Sequence, residues 1–412
     1  MYISNIEIKN FKTFNELSLD LNKFNVIIGA CGSGKSNFVE IFELLNDISQ
    51  NFHNAIEKHG GIFIKNLNSL ETNDESCLKC RFMKSDSDNN MKITLNASKT
   101  NEDTEITLDF TQVDYEICFQ FDNESCKVLN ENIQLKFDIE ESNEKNTIII
   151  KNNNGDIHME FLNDTDLDIT HIIPDTLLNI LSQRFKTDNI PLINSALSTI
   201  PIGWGDLFKN IVSYDFDPKY CKNIGEMNNN RNLTKHGDNL PSVLKEILSD
   251  EKKKKDFLVF YTNMLPYIKE VTVEKILDED RIFMIVEDYN NVKIPSPFIS
   301  DGTSTILAIL VAFYFQKGKI LLIEEPERHI HPSMIAKLMM MMESVRDKQV
   351  IITTHSPEVL KYPELEDIFF ISRDDNGFSH IDKVIDNEVV RPFIDELGID
   401  SVFVNNYMGL QP

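Results

Sequence analysis

The 412-residue chain is strongly acidic, with 66 Asp or Glu against 41 Lys or Arg and a formal net charge of −25. This charge opposes non-specific attraction to phosphate backbones, so a nucleic-acid role needs a local basic patch or a basic partner. No segment approaches the roughly 18 apolar residues that cross a membrane, and the first residues lack the pattern of a secretion signal. We therefore expect a globular cytoplasmic protein with no membrane partner.

The cysteines are sparse for a chain of this length, which is typical of reduced thiols rather than of a disulfide framework. They are Cys31, Cys77, Cys80, Cys118, Cys126 and Cys221. Cys77 and Cys80 form the only close pair in the sequence, and a zinc site would need two more ligands at matching spacing. We interpret the pair as two residues of a strand, with zinc as the weaker alternative.

The first predicted elements are a strand, a loop and a helix. Residues 2–9 alternate apolar and polar side chains, and residues 24–28 form an apolar run before Gly29, so both segments are predicted strands. Apolar residues then recur at helical spacing from Phe38 to Ile48, which predicts a helix that opens near Lys35.

The loop between this strand and this helix fits the phosphate-binding pattern G-x-x-x-x-G-K-[ST]. Its glycines let backbone N–H groups close around phosphate oxygens, while Lys35 reaches the β- and γ-phosphates and Ser36 ligates Mg²⁺. The sequence therefore predicts ATP and Mg²⁺ as cofactors. The residues expected at the nucleotide here are Gly29, Cys31, Gly32, Ser33, Gly34, Lys35, Ser36 and Asn37.

The middle of the chain differs in composition from both ends. Short alternating runs between about residues 76 and 162 predict an antiparallel sheet. Residues 71–170 carry 23 acidic and 9 basic residues, so over half of the net charge lies there. Helical periodicity follows over 172–210, and the Asn- and Gly-rich stretch 223–239 is typical of a mobile connection.

Alternating helices and strands are predicted for the rest of the chain. The helices cover 241–262, 303–316 and 333–345, and the strands cover 269–276, 281–287, 319–323 and 349–354. This alternation is expected of an α/β fold with a parallel or mixed core sheet. The run Lys252–Lys255 is flanked by acidic residues, and we interpret it as a solvated helix face.

Two of these strands end in residues suited to ATP hydrolysis. The strand 319–323 leads into Glu324, which can ligate the Mg²⁺ held at the loop, and Glu325, which can orient or activate water. The strand 349–354 leads into His355, which could hydrogen-bond the γ-phosphate or the attacking water. An ordinary turn histidine is the alternative for His355.

A metal cluster is a second interpretation of the segment after Glu325. His329 and His331 lie close to Glu327 in sequence, and histidines with a carboxylate are common metal ligands. A loop beside the ATP site explains these residues better.

In this order the motifs resemble the ABC-type P-loop ATPases of the RecF, structural-maintenance-of-chromosomes and overcoming-lysogenization-defect group, especially compact members without long coiled coils. The resemblance covers about 1–64 and 235–412. Ile6-x-Ile8-x-x-Phe11-Lys12 resembles the opening strand and turn, whose basic residue, here Lys12, lies by the nucleotide. The segment from Glu325 to Pro332 resembles the D-loop of the group, and Thr354-His355-Ser-Pro resembles its switch-histidine turn.

Ser300-Asp301-Gly302-Thr303 resembles the signature loop, written Ser-Gly-Gly-Gln in transporters, which closes over the ATP of the opposite protomer. The resemblance thus implies a homodimer that sandwiches two ATP-Mg²⁺. It implies that these four residues contact nucleotide, that Glu324 and Ser36 ligate the metal and that Glu325 and His355 are catalytic.

The implied architecture is an ABC-type ATPase head with a mixed or parallel core sheet, an inserted antiparallel β lobe and a helical insertion. We divide the chain into an N-terminal ATPase part (1–64), the acidic antiparallel lobe (65–170), the helical insertion with its mobile connection (171–234) and a C-terminal ATPase part (235–412).

Three features depart from the pattern of the group. Cys31 stands where Asn or Ser is usual, which affects one side-chain hydrogen bond near the γ-phosphate. Glu324 replaces the commoner Asp, a change seen in the overcoming-lysogenization-defect branch. No glutamine is assigned to the Q-loop, for which Gln112 and Gln120 are candidates only by their position in the acidic sheet.

The absence of three motifs from the sequence limits the activities that we expect. Only about 55 residues follow His355-Ser-Pro, where the overcoming-lysogenization-defect nucleases carry a Toprim nuclease domain, so we expect no DNA cleavage by the chain itself. The Cys-x-x-Cys pair does not resemble the zinc hook of repair ATPases, because no coiled coil leads to it. The sequence has no Asn-Lys-x-Asp motif of a GTPase.

The leading hypothesis is a dimeric ATP-gated switch or sensor that hydrolyses ATP. It would signal to a separate effector, such as a nuclease or toxin, or to nucleic acid, in bacterial anti-phage defence or in DNA repair. One alternative is a non-hydrolysing scaffold in which ATP only holds the dimer together. The other, the ATPase subunit of a transporter, is disfavoured by the Ser-Asp-Gly-Thr signature, the inserted sheet and the Thr-His-Ser-Pro turn.

Overall fold

The computed structural model describes residues 1–65, 75–85, 92–99, 102–122, 125–139, 145–162, 191–192, 205–224, 232–275, 281–287 and 291–407. The strands are β1 (Tyr2–Phe11), β2 (Phe14–Asp20), β3 (Phe24–Ile28), β4 (Ser76–Met83), β5 (Lys92–Lys99), β6 (Glu102–Asp122), β7 (Ser125–Ile139), β8 (Lys145–Asn153), β9 (Asp156–Leu162), β10 (Ile211–Tyr214), β11 (Ile268–Lys275), β12 (Arg281–Glu287), β13 (Lys293–Pro295), β14 (Ile320–Glu324), β15 (Gln349–Thr354), β16 (Ile368–Arg373) and β17 (Ser379–Lys383). The helices are α1 (Lys35–Gln50), α2 (Phe52–Lys58), α3 (Gly205–Lys209), α4 (Pro218–Cys221), α5 (Leu240–Ser249), α6 (Glu251–Met264), α7 (Asp301–Phe315), α8 (Pro332–Ser344), α9 (Arg391–Leu397) and α10 (Ile399–Val404).

A mixed core sheet runs in the order β10-β14-β15-β3-β16-β17. The five neighbouring strands β10, β14, β15, β3 and β16 are parallel to one another, and β17 is antiparallel to β16. The side chains of β3 and β15 are buried throughout, as expected for parallel strands that are covered on both faces. Alternate residues of each strand therefore enter two different hydrophobic cores. This sheet, with its helices and antiparallel sheets, confirms the predicted α/β class.

One of the two cores lies between one face of the core sheet and a second, antiparallel sheet, and it includes α1. The order of this antiparallel sheet is β2-β1-β4-β6-β7-β8-β9, with β5 paired to β6. The sequence division placed residues 1–64 in the ATPase part, yet β1 pairs along its length with β4 of the acidic lobe, with Ile6 opposite Cys80. The sheet of the lobe is therefore continuous with the first two strands.

Helices cover the other face of the core sheet. Helix α7 lies in the middle of this second core, since 11 of its 15 residues are buried, as expected for a helix that is apolar on all sides. Helices α5 and α6 pack beside it, together with the antiparallel sheet β11-β12-β13. No helix in the described part of the chain has both the length and the apolar character to cross a membrane.

The helix predicted over 241–262 is two helices that meet at Asp250. The carboxylate of Asp250 accepts hydrogen bonds from the backbone N–H groups of Lys252 at 2.9 Å and Lys253 at 3.0 Å. A side chain that bonds these N–H groups caps the start of a helix. The run Lys252–Lys255 is exposed in the first turns of α6, which confirms its interpretation as a solvated face.

Strand β10 falls within the segment that was expected to be a helical insertion. Its four residues pair with β14, with Ile211 opposite Ile320, so they extend the core sheet. A run this short shows no periodicity that would separate it from a helix. Of the segment 172–210, for which helices are predicted, residues 191–192 and 205–210 are described and include α3, and the rest lies outside the described residues.

The prediction of reduced thiols is wrong for Cys77 and Cys118, which form a disulfide between β4 and β6. The register places the two residues directly opposite each other, where their side chains meet. Cys80, three residues after Cys77, lies on the other, buried face of β4. Cys77 and Cys80 are thus strand residues, as interpreted, and their opposite directions prevent them from ligating one zinc ion.

Candidate nucleotide site

The carboxyl ends of four parallel strands meet at one edge of the core sheet. The loop Gly29–Gly34 follows β3, Glu324 ends β14 and His355 follows β15. Strand β10 lies beside β14 and adds Asp215, a residue that sequence reasoning missed. In open α/β sheets this edge is where ligands bind.

The phosphate-binding loop enters α1 through Gly34, whose φ of 111° favours glycine. Space also excludes a side chain, since a Cβ at Gly34 would lie 2.3 Å from Ser379 Oγ. The Lys35 ammonium donates hydrogen bonds to the carbonyl oxygens of Gly29 at 2.7 Å and Ala30 at 2.8 Å. Burial lowers the pKa of Lys35, and nearby carboxylates oppose this effect. The loop thus holds its ammonium against its own backbone.

The remaining loop residues divide by exposure. Cys31 and Gly32 are exposed at the tip. Ser33 is buried, and its Oγ has no hydrogen-bond partner among the described residues. Asn37 donates from Nδ2 to Thr13 Oγ1 at 3.0 Å. The β1–β2 turn therefore packs against the first turn of α1, beside the loop.

Lys12 lies in this turn, but its ammonium forms an ion pair with Glu40 of α1. The two side chains are about one-fifth exposed, at 20% and 23%. The expected contact between Lys12 and a nucleotide stays a prediction.

Ser36 and Glu324 are in direct contact, with Ser36 Oγ donating to Glu324 Oε2 at 2.9 Å. Burial raises the pKa of Glu324, and the hydrogen bond from Ser36 opposes this effect. Mg²⁺ prefers oxygen ligands, usually one or two from the protein together with substrate phosphates. The donor set of a hydroxyl and a carboxylate fits this ion.

Lys235 also reaches this part of the site. Its Nζ lies 2.5 Å from Glu43 Oε1 and 3.8 Å from Glu324 Oε1, and its carbonyl oxygen accepts a hydrogen bond from Asp215 N at 2.9 Å. Lys235 belongs to the stretch that was expected to be a mobile connection. In the structure, these hydrogen bonds and ion pairs place Lys235 against the strand ends.

Glu325 and His355 are also in contact, with His355 Nδ1 2.9 Å from Glu325 Oε1. Arg328 Nη2 donates to the other oxygen, Oε2, at 2.9 Å. Burial raises the pKa of Glu325, but the hydrogen bonds from Arg328 and His355 outweigh it, and the pKa is lowered. Glu325 also has a φ of 45°, an uncommon backbone conformation that clusters at functional sites.

Arg328 joins Glu325 to β10, because its Nη1 donates to Asp215 Oδ1 at 3.2 Å. Neither Arg328 nor Asp215 was assigned a role from the sequence. The sequence gives only a weak signal for Asp215, a carboxylate after the short run Ile211–Tyr214, because a run of four residues does not distinguish a strand from a helix. The two glutamines considered for the Q-loop both lie in β6 of the antiparallel sheet. Gln112 donates a hydrogen bond to Asp114 of the same strand at 2.7 Å. The assignment of a Q-loop glutamine therefore stays open.

The second interpretation, a metal cluster of Glu327, His329 and His331, is not supported by the contacts of these side chains. Glu327 is buried, which raises its pKa, and it accepts a hydrogen bond from Thr354 Oγ1. His329 Nδ1 lies 4.0 Å from Asp301 Oδ2, and His331 caps α8. The three side chains have three different partners, so they do not share an ion.

The segment 300–303 begins α7 and packs on the turn that follows Glu325. Ser300 is exposed and caps the helix, since its Oγ accepts a hydrogen bond from the backbone N–H of Thr303 at 3.2 Å. Thr303 itself is buried. A Cβ at Gly302 would lie 2.7 Å from the carbonyl oxygen of His329, so only glycine permits this close packing. The turn 325–331 thus joins the segment to the strand ends.

Among solved structures, the chain is similar to heads of structural-maintenance-of-chromosomes proteins. An SmcHead bound to the C-winged helix domain of ScpA has a TM-score of 0.49 at 14% identity, covering 93% of this chain and 98% of that one. An Smc head domain with an extended coiled coil, bound to the C-terminal domain of ScpA derived from Pyrococcus furiosus, has a TM-score of 0.47 at 13% identity, covering 96% of this chain and 99% of that one.

Sequence comparison gives a relative and a family. Endonuclease GajA of Bacillus cereus (strain VD045) is 26% identical over 371 residues, which are 87% of this chain and 56% of GajA. The chain therefore spans little more than half the length of that relative. The model of the family described as "AAA domain, putative AbiEii toxin, Type IV TA system" matches residues 24–361. That match covers most of the chain and includes the phosphate-binding loop, Glu324 at the end of β14 and His355 after β15. The chain therefore belongs to this family of P-loop ATPase domains.

Proposed function

We propose that the chain binds ATP with Mg²⁺ and hydrolyses it as a homodimer, and that this cycle switches a separate effector. The observation that carries the proposal is the convergence of Lys35, the Ser36–Glu324 pair and the Glu325–His355 pair at one sheet edge. Phosphoryl transfer needs a phosphate cradle, ligands for a divalent cation and a group that positions water. The site has a candidate for each.

Each residue has a proposed part in the reaction. Lys35 and the N–H groups of the loop would hold the β- and γ-phosphates, and Ser36 and Glu324 would hold Mg²⁺. When bound, the cation neutralises charge on the phosphate oxygens. Glu325 would orient the attacking water, and His355, which is 52% exposed, would fix the direction of that carboxylate.

The effector is proposed to be a nuclease or a toxin that acts in anti-phage defence. Support comes from the name of the relative, an endonuclease, and from the description of the family as a putative toxin. A maintenance role in DNA repair is the weaker proposal, because a net charge of −25 opposes direct binding to nucleic acid.

The test compares wild-type protein with Lys35→Ala in ATP-Mg²⁺. Lys35 is the only side-chain cation of the loop, so we expect the variant to bind ATP about 10- to 100-fold more weakly and to stop hydrolysis, as loss of charge-assisted hydrogen bonds implies. Lys252→Ala, on the exposed face of α6, is the matched control. Phosphate release, ATP affinity and mass in solution are measured together.

Two results would contradict parts of the proposal. Wild-type ATP affinity in Lys35→Ala would exclude the assigned nucleotide site. A wild-type protein that dimerises with ATP but releases no phosphate would replace the switch by the non-hydrolysing scaffold.

A further inference from the structure

A groove of about 1090 Å³ lies between the edges of the two large sheets, away from the strand ends that hold the nucleotide site. On one side is β2, the last strand of the antiparallel sheet, and on the other is β17, the last strand of the core sheet. Within the described residues, β2 pairs only with β1, and β17 pairs only with β16. An unpaired strand edge presents backbone N–H and C=O groups to which a further strand can bond.

Hydrogen bonds close the groove at both ends. At the beginning of the two strands, Ser379 N donates to the carbonyl oxygen of Thr13 at 2.7 Å. Beyond their other end, Asn22 Nδ2 donates to the carbonyl oxygen of Glu366 at 3.0 Å. The groove therefore lies between two points at which residues next to β2 are hydrogen-bonded to the core-sheet side.

The lining of the groove is acidic and largely uncompensated. Its two cations are Lys383, whose ammonium lies 5.5 Å from the centre of the Phe369 ring, and Arg391. Five carboxylates outnumber them, and none of the five forms an ion pair within the described part of the chain: Asp20, Glu366, Asp382, Asp386 and Glu388. The charge of this groove is complementary to a basic ligand and repels phosphate.

We propose that this groove binds an extended, lysine- or arginine-rich segment of a partner protein, added as a strand along β17. The choice of β17 follows from the charge, because Asp382, Asp386 and Glu388 lie on this strand or directly after it. The unpaired edge accounts for an extended backbone, and the uncompensated carboxylates account for basic side chains.

The same strand contacts the phosphate-binding loop. Ser379, the first residue of β17, has its Oγ 2.7 Å from the carbonyl oxygen of Ser33. A bound segment would thus lie one strand away from the loop. That the segment belongs to the effector rests on the proposed function, whereas binding in the groove does not.

The first experiment measures binding of a labelled peptide, acetyl-(Lys-Val)₃-amide, to the full chain. We expect saturable binding that Asp382→Lys with Asp386→Lys weakens about tenfold, since reversed charges next to the ligand act most strongly. The matched control is Asp395→Lys with Glu396→Lys, which reverses two exposed charges on α9 outside the lining and should change affinity less than about twofold. Equal losses in both variants, or no saturable binding, would overturn the proposal.

The second experiment separates strand addition from attraction by charge alone. A peptide in which proline replaces every valine keeps its charge but loses the N–H donors of those residues. Its affinity should therefore be lower than that of the valine peptide by about tenfold or more. Bound (Lys-Val)₃ should also slow hydrogen exchange of the β17 amides. Equal affinity for both peptides, or unchanged exchange in β17, would overturn the proposal. Lys35→Ala should bind the peptide normally, so failure of the ATP assignment would leave this result intact.

Discussion

At the scale of single residues, the chemistry of the candidate site depends on how Glu325 is held. Both of its carboxylate oxygens have partners, His355 on one side and Arg328 on the other, and Asp215 holds Arg328 in turn. The lowered pKa of Glu325 keeps it ionised at neutral pH but also makes it a weaker proton acceptor. Orientation of the water is therefore the larger part of its proposed role.

Replacing Glu325 by Gln should preserve ATP binding and slow hydrolysis about 10²- to 10⁴-fold, the usual range for loss of an acid–base group. The amide keeps the shape of the side chain but not its charge. Single-turnover hydrolysis and ATP affinity, measured on the same preparation, separate the two effects. Glu396→Gln, an exposed substitution on α9, is the control. Normal turnover in Glu325→Gln would exclude the assigned role.

Arg328→Ala should change the pH dependence of hydrolysis as well as its rate. Arg328 lowers the pKa of Glu325, so its loss raises that pKa. The acid limb of kcat/KM should then move to higher pH, because the water-orienting carboxylate must be ionised. Arg328→Lys should restore part of the shift. An acid limb at the wild-type position in Arg328→Ala would show that Glu325 does not set it.

At the scale of elements, long periodic segments could be predicted from the sequence. Helix α1 and strands β14 and β15 lie within about two residues of their predicted bounds, since each combines a strong apolar pattern with a motif at its end. The division at Asp250 was missed because α6 continues almost directly after α5, so that no gap in the pattern marks the break.

The residues of the candidate site also fall into those that could be predicted from the sequence and those that could not. Lys35, Glu324 and His355 could be found because each follows a local motif and parallel strands bring such ends together. Asp215 and Lys235 could not, because their positions depend on β10 pairing with β14, which lies more than 100 residues away in sequence. The disulfide was missed for the same reason, since the register of β4 and β6 is a property of the folded sheet.

The junction of α1 and α2 contains a buried charged cluster that no motif indicated. His59 follows α2 and bridges two carboxylates of α1, with Nδ1 3.0 Å from Glu40 Oε1 and Nε2 2.8 Å from Asp47 Oδ2. Burial lowers the pKa of His59, but both carboxylates outweigh it, and the pKa is raised above its ordinary value of 6.5. Since α1 begins at Lys35, this cluster fixes α2 to the helix of the phosphate-binding loop.

His59→Gln should destabilise the fold by about 1–3 kcal/mol near pH 6, the cost of leaving buried polar groups without a partner. The pKa of His59 is raised by folding, so its contribution is fully present below about pH 6.5 and is lost as pH rises through the folded pKa. The difference from wild type in urea unfolding should therefore shrink between pH 6 and 9. His158→Gln, on the exposed side of β9, is the control, and a difference that grows with pH would contradict the assignment.

At the scale of the whole molecule, the phosphate-binding loop lies where the two large sheets meet. Ser379 of the core sheet and Thr13, in the β1–β2 turn of the antiparallel sheet, contact each other with their hydroxyl oxygens 2.7 Å apart and lie beside Gly34. On the other side, the turn 325–331 connects the strand ends to α7 through Gly302 and His329. A second protomer that contacts the start of α7 would therefore be coupled to Glu325 through one turn.

Ser300→Arg should prevent the proposed dimer without removing ATP. In a closed dimer, Ser300 Oγ should lie about 2.5–3.2 Å from a γ-phosphate oxygen of the ATP that the other protomer binds at Lys35. Glu325→Gln protomers should thus accumulate as dimers in ATP-Mg²⁺, and adding Ser300→Arg should return them to folded, ATP-bound monomers, because the arginine blocks only the partner's site. Ser344→Arg, at the exposed end of α8, is the control and should stay dimeric. Sedimentation with bound nucleotide measured in each species decides the matter: a full dimer with Ser300→Arg, or a monomer that has lost ATP, would place this segment outside a shared site.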